Sequence, residues 1–188
     1  VKARNADGND TAWRSLGATR TFANPPSAQT HSSNQVSTVS WSWSVNANPA
    51  VTGFYAFDES GNSGWIANAS AWVSGGKSSN TLYSLTVKAR NGLNVETASV
   101  STAAYSSMPT PTGMVFLMVG ESSVTAQAAG AFSNITAAQS GLYLVNDTQG
   151  TNSAWVQQSS WTSTGLAENT AFSFKAKARN GDADETAE

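Results

Sequence analysis

Apolar and polar residues alternate along much of the chain, with a period of two, which places successive side chains on opposite faces of an extended strand. Tyr83, Leu85, Val87 and Ala89 fall on one face, with Ser84, Thr86, Lys88 and Arg90 on the other. Phe172, Phe174, Ala176 and Ala178 repeat that arrangement against Ser173, Lys175, Lys177 and Arg179. In a third segment Val39, Trp41, Trp43 and Val45 share a face while Ser40, Ser42 and Ser44 share its opposite. No segment carries a convincing helical period. Asn91-Gly92, Asp7-Gly8, Asn180-Gly181-Asp182 and Ser60-Gly61-Asn62 supply the residues that adopt left-handed backbone in tight hairpins. Many short strands separated by such turns predict antiparallel β-sandwiches.

The chain also repeats itself. VKARNADGNDTA (Val1 to Ala12), VKARNGLNVETA (Val87 to Ala98) and AKARNGDADETA (Ala176 to Ala187) are one phrase written three times, with Lys2, Lys88 and Lys177 separated by 86 and 89 residues. That period is the size of one small domain. Upstream of the phrase, SSNTLYSLTVKARN (Ser78 to Asn91) lies over AENTAFSFKAKARN (Ala167 to Asn180), GFYAF from Gly53 over GLYLV from Gly141, and Pro26 over Pro111. Trp72 and Trp161 stand at matching distances before their Asn-Thr pairs. In this phase Glu188 is the equivalent of Trp13, so the sequence spans two periods and a short overlap, and reads as a processed product or an excised piece. The expected organisation is residues 1–23 as the closing hairpin and last strand of a preceding repeat, residues 24–105 as one module, and residues 106–188 as a second module lacking its last strand.

The run Asn80-Thr81-Leu82-Tyr83 into Leu85, Val87 and Ala89, followed by an Asn-Gly loop and a Thr-rich strand, resembles the sixth-strand signature of fibronectin type III modules. Pro25-Pro26 and Pro109-Thr110-Pro111 sit where that family joins one module to the next, and a Trp on the second strand, here Trp41 or Trp43, is its habit. The resemblance spans essentially the whole chain and is closest to tandem arrays of bacterial surface and secreted proteins. It implies an all-β fold of tandem antiparallel β-sandwiches of fibronectin type III type, and it says little about activity. In the family the Tyr83 hydroxyl ties a corner to upstream backbone; Phe172 stands at its counterpart and lacks that hydroxyl. Trp41 and Trp43 become Ala126 and Ala128, while the polar stretch Gln29 to Asn34 becomes Met114-Val115-Phe116-Leu117-Met118-Val119. Those apolar side chains either refill the volume of the two Trp or, at Met114, Phe116 and Met118, form a contact with a neighbouring chain or module.

Composition narrows the chemistry. Only 12% of the 188 residues are charged and the formal net charge is −2, which is unlike the basic footprint of a nucleic-acid binder. Cysteine is absent and His31 is the only histidine, which excludes thiol chemistry and disulfides and leaves one residue on which any His-dependent triad must be built. The longest apolar run, Met114 to Val119, is far short of the roughly 20 residues that cross a bilayer as a helix. Asp58 and Glu59 are adjacent on a strand and point to opposite faces, the wrong geometry for a paired acid and base. The acidic loop Asp182, Asp184, Glu185 and its counterpart Asp7, Asn9, Asp10 offers oxygen ligands for calcium but no full loop signature, and reads more simply as a solvated turn. No catalytic residue, metal or cofactor is expected, and the chain is not expected to be an enzyme. Trp65, Trp72, Trp155 and Trp161 recur in both copies, either as platforms for sugar rings or as sheet-covering packing. Asn9, Asn68, Asn134 and Asn146 head glycosylation sequons compatible with an extracellular or cell-surface location.

Two functions follow. One is a structural segment of an extracellular fibre, surface layer or stalk. It would join its neighbours through a longer tandem array, or by head-to-tail strand donation in which Thr11, Trp13, Leu16 and Phe22 mark the donated strand. The other is an adhesin or a carbohydrate-binding accessory module, for which exposed, aligned Trp faces are the discriminating feature. Self-association or neighbouring repeats are the expected partners, glycans the second, with no nucleic acid and no membrane insertion.

Overall fold

A computed structural model describes residues 1–32 and 35–188. Ser33 and Asn34, the end of the polar stretch set against the apolar run, lie outside the described residues. All regular structure among the described residues is β. In the first unit β1 (Ser27–Ser32), β2 (Val39–Ser44) and β5 (Ala71–Ser74) form one sheet in the order β1-β2-β5. Opposite it lie β3 (Gly53–Asp58), β4 (Gly61–Ala67), β6 (Leu82–Arg90) and β7 (Val100–Tyr105) in the order β4-β3-β6-β7. The second unit repeats the plan. Here β8 (Gly113–Val119), β9 (Ser123–Ala129) and β12 (Ser160–Thr164) form a sheet in the order β12-β9-β8. β10 (Gly141–Asn146), β11 (Thr151–Val156) and β13 (Phe174–Arg179) form the other, in the order β11-β10-β13. All pairings are antiparallel. Among the described residues no helix is long and apolar enough to cross a membrane.

The alternation in sequence becomes the inner faces of the sheets. Val39, Trp41 and Trp43 of β2, Phe54 and Ala56 of β3, Tyr83, Leu85, Val87 and Ala89 of β6, and Ala104 of β7 form the first core. The second core holds Met108, Ala128, Leu142, Leu144, Ala176 and Ala178, with Met114, Phe132, Ile135, Val156 and Trp161 packed against it. Ala126 and Ala128 are buried where the first unit has Trp41 and Trp43. The missing ring volume is therefore supplied from several directions, by Met108 on the connecting segment, Met114 on β8 and Phe132 and Ile135 on the β9–β10 loop. The rest of the apolar run does not share that task. Val115, Phe116, Leu117, Met118 and Val119 are all exposed on β8, an edge strand, although the Phe116 ring meets Phe174 edge-on at 5.6 Å.

Two polar devices separate the units. In the first, the Ser78 N–H donates to the Tyr83 hydroxyl at 2.9 Å, which ties down the corner before β6; Phe172 has no oxygen for this. In addition, Lys77 and Asp58 form an ion pair at 2.5 Å with both side chains fully buried. The Lys77 ammonium also lies 4.1 Å from the centre of the Tyr83 ring, and Trp41 Nε1 donates to Asp58 at 3.4 Å. Asp58 is thus a structural anion, and Glu59 is directed elsewhere, accepting from the Ser84 N–H. In the second unit Asn146 and Leu166 occupy the places of Asp58 and Lys77, and Asn146 Nδ2 donates to Ser163 Oγ at 3.1 Å.

The first residues depart from expectation. Residues 1–14 form a hairpin closed by the Arg4↔Asp10 bridge and by the Arg14 N–H donating to the Val1 carbonyl at 2.9 Å. The segment from Thr11 to Phe22, expected as a last strand, pairs with no strand, and Trp13, Leu16 and Phe22 are each at least 75% exposed. A strand exists only where a ladder satisfies its backbone.

Removing Lys77 leaves a buried carboxylate without its counter-ion. Lys77→Ala is expected to destabilise the first unit by about 3–5 kcal/mol in denaturant unfolding followed by Trp fluorescence. The Asp58 carboxyl is pushed up by burial, but hydrogen bonds from Lys77, Ser74 and the Ser60 N–H and the Lys77 charge outweigh this and hold it below its ordinary 3.8. A depressed folded value means the contribution is complete above pH 3.8 and is lost as pH falls through the folded value. Hydrogen exchange during acid titration is expected to show the β2, β3 and β6 core losing this contribution, which the second unit, with Asn146 at that place, does not have.

Candidate functional site at the junction between the two units

Asn80 lies in the turn before β6 with left-handed backbone, φ 47°, a conformation in which Asn is enriched among non-glycine residues. It is fully buried, and every hydrogen-bonding position of its amide is used by the second unit. Nδ2 donates to the carbonyls of Ser133 at 3.2 Å and Asn134 at 2.7 Å. Oδ1 accepts from Ser140 Oγ at 2.9 Å and from the Gly181 N–H at 3.0 Å. Asn134 returns the contact, its Nδ2 donating to the Asn80 carbonyl at 3.2 Å and to Thr81 Oγ1 at 3.0 Å. A buried amide satisfied at two donors and two acceptor sites is held in one position.

A second amide fixes the connecting segment. Asn180 Nδ2 donates to the carbonyls of Tyr105 at 3.3 Å and Ser106 at 3.4 Å, while Oδ1 accepts from the Asp182 and Asp184 N–H groups at 3.1 and 2.8 Å. The Tyr105 N–H donates to Asp182 Oδ2 at 2.6 Å. Gly181 is required here by space rather than by φ: a Cβ would lie 2.6 Å from the Tyr105 ring. The same arrangement stands at the entry to the first unit. Asn91 Nδ2 donates to the Thr21 carbonyl at 3.0 Å, Oδ1 accepts from the Leu93 and Val95 N–H groups, and a Cβ on Gly92 would lie 2.9 Å from the Arg20 side chain. The repeated phrase thus encodes a clasp for the segment of chain that enters each unit. Its other letters close the hairpin: Lys88 pairs with Glu96 and Lys177 with Glu185, each at 2.6 Å, and Lys2 pairs with Asp10. Thr11, Thr97 and Thr186 accept from the Ala3, Ala89 and Ala178 N–H groups.

His31 reaches this junction from β1. Its Nε2 stands 3.9 Å from Asp182 Oδ2 and its ring meets Trp41 edge-on at 6.4 Å. One ligand atom from each of His31, Asp182 and Asp184 lies within 4.8 Å of the others, which makes this set the place among the described residues where a cation could bridge the units. Asp182 and Asp184 also serve the clasp, as acceptors from the Tyr105 N–H and from Asn180 Nδ2.

The other sequence candidates are scattered. The Trp65 ring meets the Tyr55 ring at a tilt, 5.3 Å between centres, with the Arg90 guanidinium 4.3 Å from the centre of the Trp65 ring and Lys88 at 5.6 Å. Trp155 repeats this with Tyr143 at 5.4 Å, Arg179 at 4.4 Å and Lys177 at 5.7 Å. These stripes occupy the outward sheet face, and a cation already covers each indole. Trp72 and Trp161 pack against the two cores. Met114 is half-buried, whereas Phe116 and Met118 are exposed on the β8 edge. Of the sequon residues, Asn9 and Asn68 are exposed. Asn134 spends its amide on Asn80 and Thr81, and Asn146 is fully buried with its amide on Ser163, so the folded second unit cannot carry a glycan at Asn146. The sequence alone presents Asn91 and Asn180 as turn residues and Asn80 as the start of the run that leads into β6, and does not reveal that their amides hold the junctions. The signal was present in the recurrence of Asn at positions 5, 91 and 180, with Gly following the last two.

Asn80→Ala removes four hydrogen bonds between the units and leaves Ser140 Oγ and the Gly181 N–H without their acceptor. Small-angle scattering is expected to show a broader distribution of inter-unit distances in this variant. Gly181→Ala, which drives a methyl into Tyr105, is expected to broaden it in the same way.

No protein-family model matches this chain, and no curated protein sequence does. Among solved structures, it is similar to a segment of two fibronectin type III domains from chicken tenascin, with 16% identity and a TM-score of 0.52. That match covers 87% of this chain and 95% of the tenascin segment. The central fibronectin-III array of RIM-binding protein matches with 15% identity and a TM-score of 0.38, over 87% of this chain and 60% of that one. The two cores, the sheet orders and the tenascin match together establish the architecture as tandem antiparallel β-sandwiches of fibronectin type III type.

Proposed function

We propose that the chain is a structural repeat segment of an extracellular or cell-surface polymer, a fibre, layer or stalk, whose work is to space its modules and hold them at a set angle. The observation that carries this reading is the buried Asn80 amide, whose side-chain partners all lie in the next unit. A junction with no such anchor leaves neighbouring domains free to move; here a polar lock has been built into the seam. The carbohydrate-binding alternative needs open indole faces, and at Trp65 and Trp155 an arginine occupies that place.

Growth of the polymer uses an edge. In the first unit β6 is flanked by β3 and β7, with six residues in register from Leu82↔Tyr105 to Val87↔Val100. Among the described residues β10 is the one strand that β13 pairs with; beyond the short hairpin that Ala178 and Arg179 make with Glu185 and Thr186, the other side of its backbone is a template for another strand. The segment from Thr11 to Phe22 is the counterpart of β7 and carries the apolar residues such a strand would bury. It completes the sandwich that precedes it, either within a longer tandem array or by head-to-tail donation from a second chain. Electron microscopy of native material followed by denaturing electrophoresis tests this. Filaments that collapse to a band near 19.5 kDa indicate strand donation, a much larger denatured chain indicates a covalent array, and dispersed monomers in both overturn the polymer.

A further inference from the structure

Two halves of the Asn80 junction are duplicated at opposite ends of the chain. Asn169 is the repeat equivalent of Asn80 and holds the same left-handed backbone, φ 49° against 47°. It is exposed, and its amide has no hydrogen-bond partner among the described residues. At the other end the first unit presents a groove of about 310 Å³ beside Arg20, Phe22, Asn48, Thr52, Asn91 and Gly92. Thr52 is the counterpart of Ser140, and Gly92 of Gly181, the two groups that donate to Asn80 Oδ1. Thr52 is 3% exposed, yet neither its hydroxyl nor the Gly92 N–H has a hydrogen-bond partner among the described residues. Gly92 is exposed and Thr52 lines the groove, so both groups are open to donate to an incoming acceptor. Asn46, the counterpart of Asn134, differs by giving its amide to the Pro25 carbonyl at 2.8 Å, so Thr52 and Gly92 carry the recognition. The charges agree as well, with Glu168 beside Asn169 at one end and Arg20 at the groove.

We infer that the Asn169 turn of one copy docks into the Thr52–Gly92 groove of a second copy, reproducing between chains the lock that Asn80 makes within one. The Asn169 amide oxygen accepts from Thr52 Oγ1 and the Gly92 N–H, as Asn80 does from Ser140 and Gly181. Because the two halves lie at opposite ends, the contact is head-to-tail, and it adds copies one after another until the rotation between them closes a ring. The inference rests on the polymer reading and adds the group that sets the angle between copies.

Sedimentation velocity of the 188-residue chain up to about 1 mM tests it. Wild type is expected to associate reversibly, and Asn169→Ala and Thr52→Val each to weaken association at least about tenfold. Asn169 is exposed, so its variant keeps the fold; circular dichroism checks the Thr52 variant. An equimolar mixture of the two variants retains one intact groove and one intact turn, and is expected to stop at a dimer while wild type grows further. A monomeric wild type, or association indifferent to Asn169→Ala, overturns the docking. Leu16→Pro separates the two ideas. If it abolishes association while Asn169→Ala does not, strand donation stands without the docking; if only Asn169→Ala matters, the docking stands without donation.

Discussion

A primary amide removed from water must have both hydrogens and both acceptor sites matched, or it costs more than it contributes. Asn80 meets that condition only when the Ser133–Asn134 carbonyls, the Ser140 hydroxyl and the Gly181 N–H converge on it from the second unit. Those groups come from two loops, before β10 and after β13, which the second core holds at a fixed separation. The seam therefore depends on packing some distance away. The Asn180 clasp adds a second point of attachment on the connecting segment, and two attachments define an orientation where one would leave a swivel.

The two cores show how far composition can vary under one backbone plan. Large rings on β2 in the first unit give way to alanines on β9, and the volume returns from Met108, Met114, Phe132 and Ile135. Interiors tolerate such exchange when total volume is kept. The buried polar positions are less free. Where Asp58 and Lys77 form a charged pair, the second unit substitutes the neutral Asn146–Ser163 bond and an apolar Leu166, so that neither partner is left alone. Changing one half of that pair without the other would strand a charge, and the sequence changes both.

Strands and cores were legible in the sequence because a period of two and a repeated phrase are local signals. The inward faces of β2 and β6 follow directly from Val39-Trp41-Trp43 and Tyr83-Leu85-Val87. Residues 11–22 were not legible, since their pattern is that of a strand while strand pairing depends on contacts that no local pattern encodes. Phe116 and Met118 illustrate the same limit, because an apolar run cannot tell a core strand from an edge strand. The junction was the least visible element. Asn-Gly reads as a hairpin turn, and nothing in the local pattern says that the amide of Asn180 reaches back to Tyr105 and Ser106, or that Asn80 meets residues more than fifty positions away.

Val115 to Val119 is an uncharged, proline-free stretch on an exposed edge, the type of segment that nucleates cross-β stacking. Its ladder with β9 is irregular between Phe116 and Met118, where Leu117 has no counterpart. A bulge of this kind bends and twists an edge, so that a second β8 cannot lie flat against the first. The extra residue at Leu117 thus guards against disordered lateral aggregation, and a deletion that restored an even register would give up that protection while leaving the core beneath it untouched.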